Sequence, residues 1–281
     1  MKISVIVVNY NGKNYLGACL DSVLASRYPN FEVVVVENAS TDGSWKWLRS
    51  KYEGKRRIKL VKARTNLFFA GGCNLGGEKA TGEWLVFLNP DTVVKKNWLS
   101  ELSKQAGKDK KQLLQPKILS ARIKGVIDNA GGRYVFPGFG VGVGRGEKDH
   151  GQYDGIRKTD FANGTCLMMR KEFFEKVGKF DEYFRFFYED VDLNLRARKM
   201  GGRAVVVGTS EIEHLGGVSF KENVVADGVR YYVRRNRLLT VRKNYVGLEK
   251  LLRLGMLFVG YLFLPRVRVS LRAMRAVLRH Y

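Results

Sequence analysis

Four short apolar runs near the start of the chain restrict its fold more than any other feature: Ile3–Val8, Val33–Val36, Ile58–Val61 and Trp84–Leu88. Runs of this length, bounded by polar turns, suit strands buried on both faces, as in parallel sheets. Helical patterns alternate with them. Asn14–Ala25 carries Leu16, Cys19, Leu20, Val23 and Leu24 at helical spacing, and Ser40–Ser44 offers N-cap residues ahead of Trp45, Trp47 and Leu48. This order predicts an α/β fold with an open, mostly parallel sheet. In such sheets ligands bind outside the carboxyl ends of the strands. The residues just after each strand are therefore the ones to weigh.

The middle of the chain, about 105–160, carries weaker signals. Gly138–Gly146 alternates glycine with other residues, does not fit GxGxxG, and reads as a mobile surface loop, in preference to one that orders over substrate. Beyond it, an aromatic cluster from Asp181 leads into a helix ending near Met200, and Ala204–Val207 predicts one more strand.

The first strand is followed by Asn9-Tyr10-Asn11-Gly12, the second by Glu37-Asn38 and then Asp42, the fourth by Asn89-Pro90-Asp91. Asn and carboxylates at these ends can bond a base or ribose, and Asp91 suits a divalent cation, since Mg²⁺ and Mn²⁺ prefer oxygen ligands. Each motif alone also reads as an ordinary turn. Asn66–Gly77 follows the third strand; its glycines permit close approach to a phosphate or, equally, close packing of a helix. Tyr188-Glu189-Asp190-Val191-Asp192 opens a helix. Asp192 pairs with Arg196 at i, i+4, while Glu189 or Asp190 is a general-base candidate set against simple helix-end acids. His214-Leu-Gly-Gly-Val-Ser219 follows the last strand and offers a metal or phosphate contact, against the commoner structural histidine.

Charge enters next. The net charge is +23, and residues 230–281 hold 13 Lys/Arg against one acid, Glu249. An anionic partner is implied: nucleic acid, a membrane surface or phosphorylated molecules. Leu254–Leu264 is apolar but ends at Pro265, short of the about 20 residues a spanning helix needs. Arg268, Arg272, Arg275 and Arg279 then form one helical stripe, with Val267, Val269, Met274, Val277 and Leu278 off it. A basic amphipathic helix on an anionic membrane surface is expected, in preference to one packed on the rest of the chain. Cys19, Cys73 and Cys166 lack metal or disulfide spacing and suit a reducing, cytoplasmic compartment. The N-terminal apolar run is too short for a signal peptide.

Taken in order, NYNG, VENASTDGS, the Asn66–Gly77 segment, FLNPDT, GTCLMMRK, the Gly178–Arg196 segment with YEDVDL, and HLGGVS closely resemble family 2 glycosyltransferases of the GT-A fold, in particular a rhamnosyltransferase-like branch. The resemblance covers about residues 2–245. It implies a mixed, mostly parallel sheet flanked by helices, with C-terminal amphipathic helices added. Residues 1–245 would form the catalytic domain (1–104 for the nucleotide sugar, 105–245 for the acceptor), and 246–281 a membrane-association segment.

By the same resemblance, Val8, Tyr10, Glu37 and Asn38 would line the base and ribose, and Gly71 to Asn74 would close over the nucleotide. Asn89 and Asp91 would stand at the metal motif, with Asp91 and His214 holding Mg²⁺ or Mn²⁺. Asp190, beside Glu189, would be the catalytic base, and Gly164, Thr165 and Tyr188 would face donor sugar and acceptor. Asn89 and Glu37 depart from the commoner Asp at their positions. The implied reaction is inverting transfer from dTDP-rhamnose or a UDP-sugar to a hydroxyl of a glycan or lipid-linked acceptor, in cell-envelope polysaccharide synthesis at the inner face of the membrane. A processive synthase would need a QxxRW-like motif, which is absent. A nucleic-acid-binding module fits Tyr231–Arg237 but leaves the strand-end carboxylates without purpose, and an inactive scaffold would not need Asp91 and Asp190.

Overall fold

The computed structural model describes residues 1–216 and 226–280. Gly217, Val218 and Ser219 of the HLGGVS motif lie outside the described residues. The four N-terminal runs form β1 (Ile3–Asn9), β2 (Phe31–Glu37), β3 (Ile58–Lys62) and β4 (Trp84–Leu88), joined by α1 (Lys13–Leu24), α2 (Ser44–Tyr52) and α3 (Phe68–Lys79). Their parallel pairing places β1 between β2 and β4, with β3 outside β2. Alternate side chains of β1 enter different cores: Ile3, Val5 and Val7 one, Ile6 and Val8 the other. Both faces are covered, which is why the run reads as continuously apolar.

The remaining strands are β5 (Thr92–Val94), β6 (Gln112–Ser120), β7 (Ile127–Asn129), β8 (Gly132–Val135), β9 (Phe139–Gly142), β10 (Ile156–Thr159), β11 (Cys166–Arg170) and β12 (Arg203–His214). The main sheet runs β10-β12-β6-β11-β4-β1-β2-β3. Strands β3, β2, β1, β4, β6 and β12 point one way, while β11 and β10 run against them. The sheet is thus mixed and mostly parallel. The strand expected over Ala204–Val207 is longer than its apolar stretch, and His214 is its last residue rather than a loop residue beyond it.

Two expectations are corrected. Gly138–Gly146 is no free loop: Phe139–Gly142 pairs with Gly132–Val135 as an antiparallel hairpin. Gly140 packs so close to α6 (Glu189–Lys199) that an added Cβ would sit 3.0 Å from Val191. The glycines here allow that approach, and they also erase the alternating pattern that marks a strand.

The second correction concerns the C-terminus. Between these parts lie α4 (Trp98–Ala106) and α5 (Lys171–Lys176); after the sheet come α7 (Ala226–Asn244), α8 (Gly247–Leu262) and α9 (Val267–His280). Met274 and Val277 of α9, expected to face a membrane, are buried with Leu238, Leu239 and Val241 of α7 and Leu257 and Tyr261 of α8. The apolar side of α9 is consumed inside the protein because α7 supplies an apolar partner. Phe184 enters the same core, tying these helices to the segment before α6.

Candidate active site at the strand ends

Strands β1, β2, β4 and β12 bring their carboxyl ends to one edge of the sheet. At β4, Asn89 is fixed by its backbone: its N–H donates to the Thr165 carbonyl, and its carbonyl accepts from Thr92 Oγ1. Asp91 follows, only 2% exposed. Pairing of β5 with β12 sets Thr92 opposite His214, and the Leu215 N–H donates to the Asp91 carbonyl. Asp91 and His214 thereby meet, with His214 Nε2 3.4 Å from Asp91 Oδ1.

The other ring nitrogen, Nδ1, lies 2.7 Å from Asp128 Oδ2 on β7. Burial disfavours the imidazolium, yet the two carboxylates outweigh it and raise the His214 pKa to about 9. Asp91 Oδ1 is buried and makes no contact of hydrogen-bond geometry, only the long ion-pair approach of His214. An orphaned buried carboxylate oxygen beside an imidazole nitrogen, itself oriented by a second carboxylate, is a donor set that fits Mg²⁺ or Mn²⁺ together with phosphate oxygens. Asp149, Asp154 and Glu211 also converge, but around the buried Lys117 ammonium, which lies 2.8 Å from Asp149 and 3.0 Å from Glu211. These carboxylates already have their cation.

Asp190 sits in the first turn of α6. Its Oδ2 accepts from the Gly164 N–H at 2.8 Å and its Oδ1 from the Val191 N–H at 2.8 Å. A Cβ on Gly164 would lie 3.2 Å from Asp190 Cβ, so only glycine allows this approach without displacement. Burial raises the Asp190 pKa, and the two N–H donors partly offset that. Glu189 differs. It is buried, its Oε2 has no partner, and burial followed by the Asp190 charge pushes its pKa well up. Of the adjacent acids, Asp190 is the one whose two carboxylate oxygens are both held by backbone N–H groups, while burial and the Asp190 charge disfavour ionisation of Glu189. Asp192 pairs with Arg196 at 2.8 Å, as its spacing predicts.

A buried amide joins the two parts of the site. Gln115 Oε1 accepts from the Asn163 N–H beside Gly164, and its Nε2 donates to Asn129 Oδ1 beside Asp128, each at 2.6 Å. Gln115 on β6 thus ties the Asp190 side to the His214 side.

The loop ahead of α6 is conformationally costly. Arg185, Phe187 and Tyr188 all have φ between 65° and 68°. Asn236 on α7 holds it, donating to the carbonyls of Phe184, Phe186 and Phe187 at 2.7–2.9 Å. Arg237 Nε donates to the Tyr188 hydroxyl at 2.8 Å.

On the other side of the sheet edge, Val8, the last residue but one of β1, lies against Gly72 of α3, and Tyr10 is half-exposed. Glu37 accepts from the Ser40 N–H. The Asn38 side chain is committed to the turn at Asn66–Phe68. Asn74 bonds both backbone groups of Phe180 and the Glu182 carboxylate, and Gly71 leaves room for that carboxylate. Gly72 and Gly76 serve packing: added Cβ atoms would lie 2.6 Å from Val8 and 2.4 Å from Ile6. Of the two uses the glycines of Asn66–Gly77 allowed, helix-on-sheet contact is the one seen at these two positions.

Sequence reasoning missed Asp128, Gln115 and Asn236. Asp128 had one faint signal: it is the single carboxylate between Asp109 and Glu147. The other two had none.

Residues 4–178 match the family described as Glycosyl transferase family 2. The O-antigen biosynthesis protein RfbC of Myxococcus xanthus is 32% identical over 219 residues, covering 76% of this chain and 17% of that protein. The chain spans between 15% and 31% of the length of RfbC and of two further curated relatives. A structure of GalNAc-T7 with UDP, GalNAc and Mn²⁺ superposes with TM-score 0.70 and 18% identity over 86% of this chain and 48% of that one. Residues 1–349 of S. aureus TarS with UDP-GlcNAc give 0.67 and 19%, over 99% and 81%. At such identities the solved structures establish the fold, which is GT-A.

Proposed function

The chain belongs to glycosyl transferase family 2, and from that premise we propose an inverting glycosyltransferase that moves a sugar from a nucleoside-diphosphate donor, dTDP-rhamnose or a UDP-sugar, to a hydroxyl of a glycan or lipid-linked glycan. The setting we propose is cell-envelope polysaccharide synthesis at the inner face of the membrane. One observation carries the reading. The Asp91–His214 pair and Asp190 are held to one frame by the Asn89–Thr165 backbone bond and by Gln115.

In this reading Val8, Tyr10, Glu37 and Asn38 line the wall that receives base and ribose, Asn38 by shaping the Asn66–Phe68 turn with its side chain, and Gly71 to Asn74 close over the nucleotide. Asp91 and His214 are the residues that would hold Mg²⁺ or Mn²⁺, with Asn89 beside them. A divalent cation bound there supplies Lewis-acid neutralisation of the diphosphate. Asp190 removes the proton from the acceptor hydroxyl. The oxygen then forms its bond to the anomeric carbon, while the bond from that carbon to the diphosphate breaks and the electron pair leaves with the nucleoside diphosphate. The N–H groups of Gly164 and Val191 keep the Asp190 carboxylate aimed. Glu189 lies buried beside it, where ionisation is disfavoured. Gly164, Thr165 and Tyr188 border the space for donor sugar and acceptor. A positioned base accelerates such a step by roughly 10²–10⁴-fold, because a sugar hydroxyl is a weak nucleophile near neutral pH.

The test has two arms. Thermal stabilisation by a panel of nucleotides and nucleotide sugars, with Mn²⁺ or Mg²⁺, is expected to single out one base; no shift with any of them sinks the donor-site reading. Asp190→Asn is expected to keep nucleotide binding and lose transfer by at least about 10²-fold. Near-wild-type transfer by this variant would remove Asp190 from its role.

A further inference from the structure

The C-terminal helices leave two outer faces of opposite character. Helix α8 turns Leu254, Leu257, Phe258 and Tyr261 inward onto the core it shares with α7 and α9. Its other side presents Leu248, Leu251, Leu252, Met256, Val259 and Leu262, each 51–71% exposed, and Phe263 follows at 84%. With Gly255 among them these positions recur at i, i+3, i+4, i+7, i+8, i+11 and i+14, one continuous stripe along the helix. A soluble surface rarely carries so many large apolar side chains in a row.

Helix α9 packs on α7 and α8 through Ser270, Ala273, Met274 and Val277. Its outer side carries Arg268, Arg272, Arg275 and Arg279, which with Tyr231, Leu271 and Ala276 line a groove of about 500 Å³. Arg272 lies over the Tyr231 ring at 4.8 Å. None of the four arginines has a carboxylate partner among the described residues: Glu249 is held by Arg253, and Asp227 by Arg230 and Arg266.

We propose that these two outer faces together form a docking surface for an anionic phospholipid bilayer. The apolar stripe of α8 enters the boundary between headgroups and acyl chains, and the arginines of α9 bind lipid phosphates in the groove. Helix α8 has 16 residues, about 24 Å at 1.5 Å each, shorter than the roughly 30 Å hydrocarbon core. No helix among the described residues is long and apolar enough to cross a membrane. The helix therefore lies in the plane of the surface. Charge selects the bilayer over a second copy of the chain, because a two-fold contact through this patch brings two rows of unneutralised arginines together. Phosphate oxygens instead match the guanidinium fork. The proposal rests on the membrane-facing part of the reading above and is independent of the sugar-transfer part.

The experiment is flotation of the full chain with vesicles of phosphatidylcholine alone, or with phosphatidylglycerol mixed in. The intact chain is expected to float only with the anionic vesicles. Arg268→Gln/Arg272→Gln/Arg275→Gln is expected to lower partitioning roughly fivefold per arginine, the equivalent of about 1 kcal/mol each. Leu251→Gln/Val259→Gln, which alters exposed side chains only, is expected to abolish flotation while leaving the thermal midpoint unchanged. Arg56→Gln/Lys108→Gln/Lys110→Gln, on exposed residues elsewhere, is the charge-matched control and should float as the intact chain does. Unchanged flotation of the leucine–valine variant overturns the proposal, as does equal loss in the control. A dimer in solution that this leucine–valine variant dissociates also overturns it, in favour of a second copy. Flotation uses neither donor nor acceptor, so its failure leaves the transferase reading standing, and failure of the transfer assay leaves flotation untouched.

Discussion

His214 Nδ1 lies 2.7 Å from Asp128 Oδ2, while its Nε2 faces Asp91 across 3.4 Å. The imidazole is thus aimed from behind by one carboxylate at another. A histidine oriented this way would lose little freedom on binding a cation, and the carboxylate behind it makes its other nitrogen more basic.

The first prediction concerns that rear carboxylate. Asp128→Asn is expected to weaken Mn²⁺ binding about 10–100-fold without unfolding the protein. Electron paramagnetic resonance of free against bound Mn²⁺ reads this directly, with no turnover needed. An unchanged affinity would mean that Asp128 is only a hydrogen-bond partner of a structural histidine.

A second prediction follows from the His214 pKa of about 9, above its ordinary 6.5. The charged ring binds its proton more tightly in the folded protein than in the unfolded chain. Its contribution to stability is therefore fully present below pH 6.5 and is lost as pH rises through about 9. The thermal midpoint of the metal-free protein should exceed that of His214→Asn most at pH 6, with the gap closing by pH 9.5. Stabilisation by Mn²⁺ should grow over the same window, since cation and proton compete for the ring. A gap independent of pH would contradict the assignment.

Gly164→Ala makes a third test. The added Cβ falls 3.2–3.3 Å from Asp190 atoms, so the carboxylate must shift by tenths of an ångström. Nucleotide affinity should hold while kcat falls by about tenfold or more, because a misplaced base costs rate and not donor binding. An equal loss in both would show that Gly164 serves the donor.

Fourth, Asn236→Ala removes three hydrogen bonds to the carbonyls of Phe184, Phe186 and Phe187. Those acceptors sit in the loop where Arg185, Phe187 and Tyr188 carry positive φ. A loss of about 3 kcal/mol in urea unfolding is expected, together with a raised KM for acceptor. Stability within about 0.5 kcal/mol of wild type would mean that the loop holds itself.

The parallel half of the sheet was legible because its signals are local. Ile3–Val8 and Val33–Val36 are buried on both faces, so composition alone marks them. Phe139–Gly142 was not, because glycine alternation removes the side chains that reveal a strand, and its packing on Val191 is a tertiary event. Asp91, Asp190 and His214 stood out by position at strand and helix ends. Asp128 did not, since it lies 86 residues from His214 and in a strand of three residues. The amphipathic pattern of α9 was read correctly as a pattern. The sequence carried no mark that Leu238, Leu239 and Val241 would cover its apolar side, leaving the exposed apolar face on α8.

Gln115 has a consequence for how such a site can change over time. Its single amide reaches both Asn129 and Asn163 from β6, inside the sheet. The distance between the His214 side and the Asp190 side is thereby a dimension of the scaffold and not of the loops. For the transferase proposed above, loops around the rim could then drift in sequence and exchange one sugar or acceptor for another, while the span fixed by Gln115 stays constant.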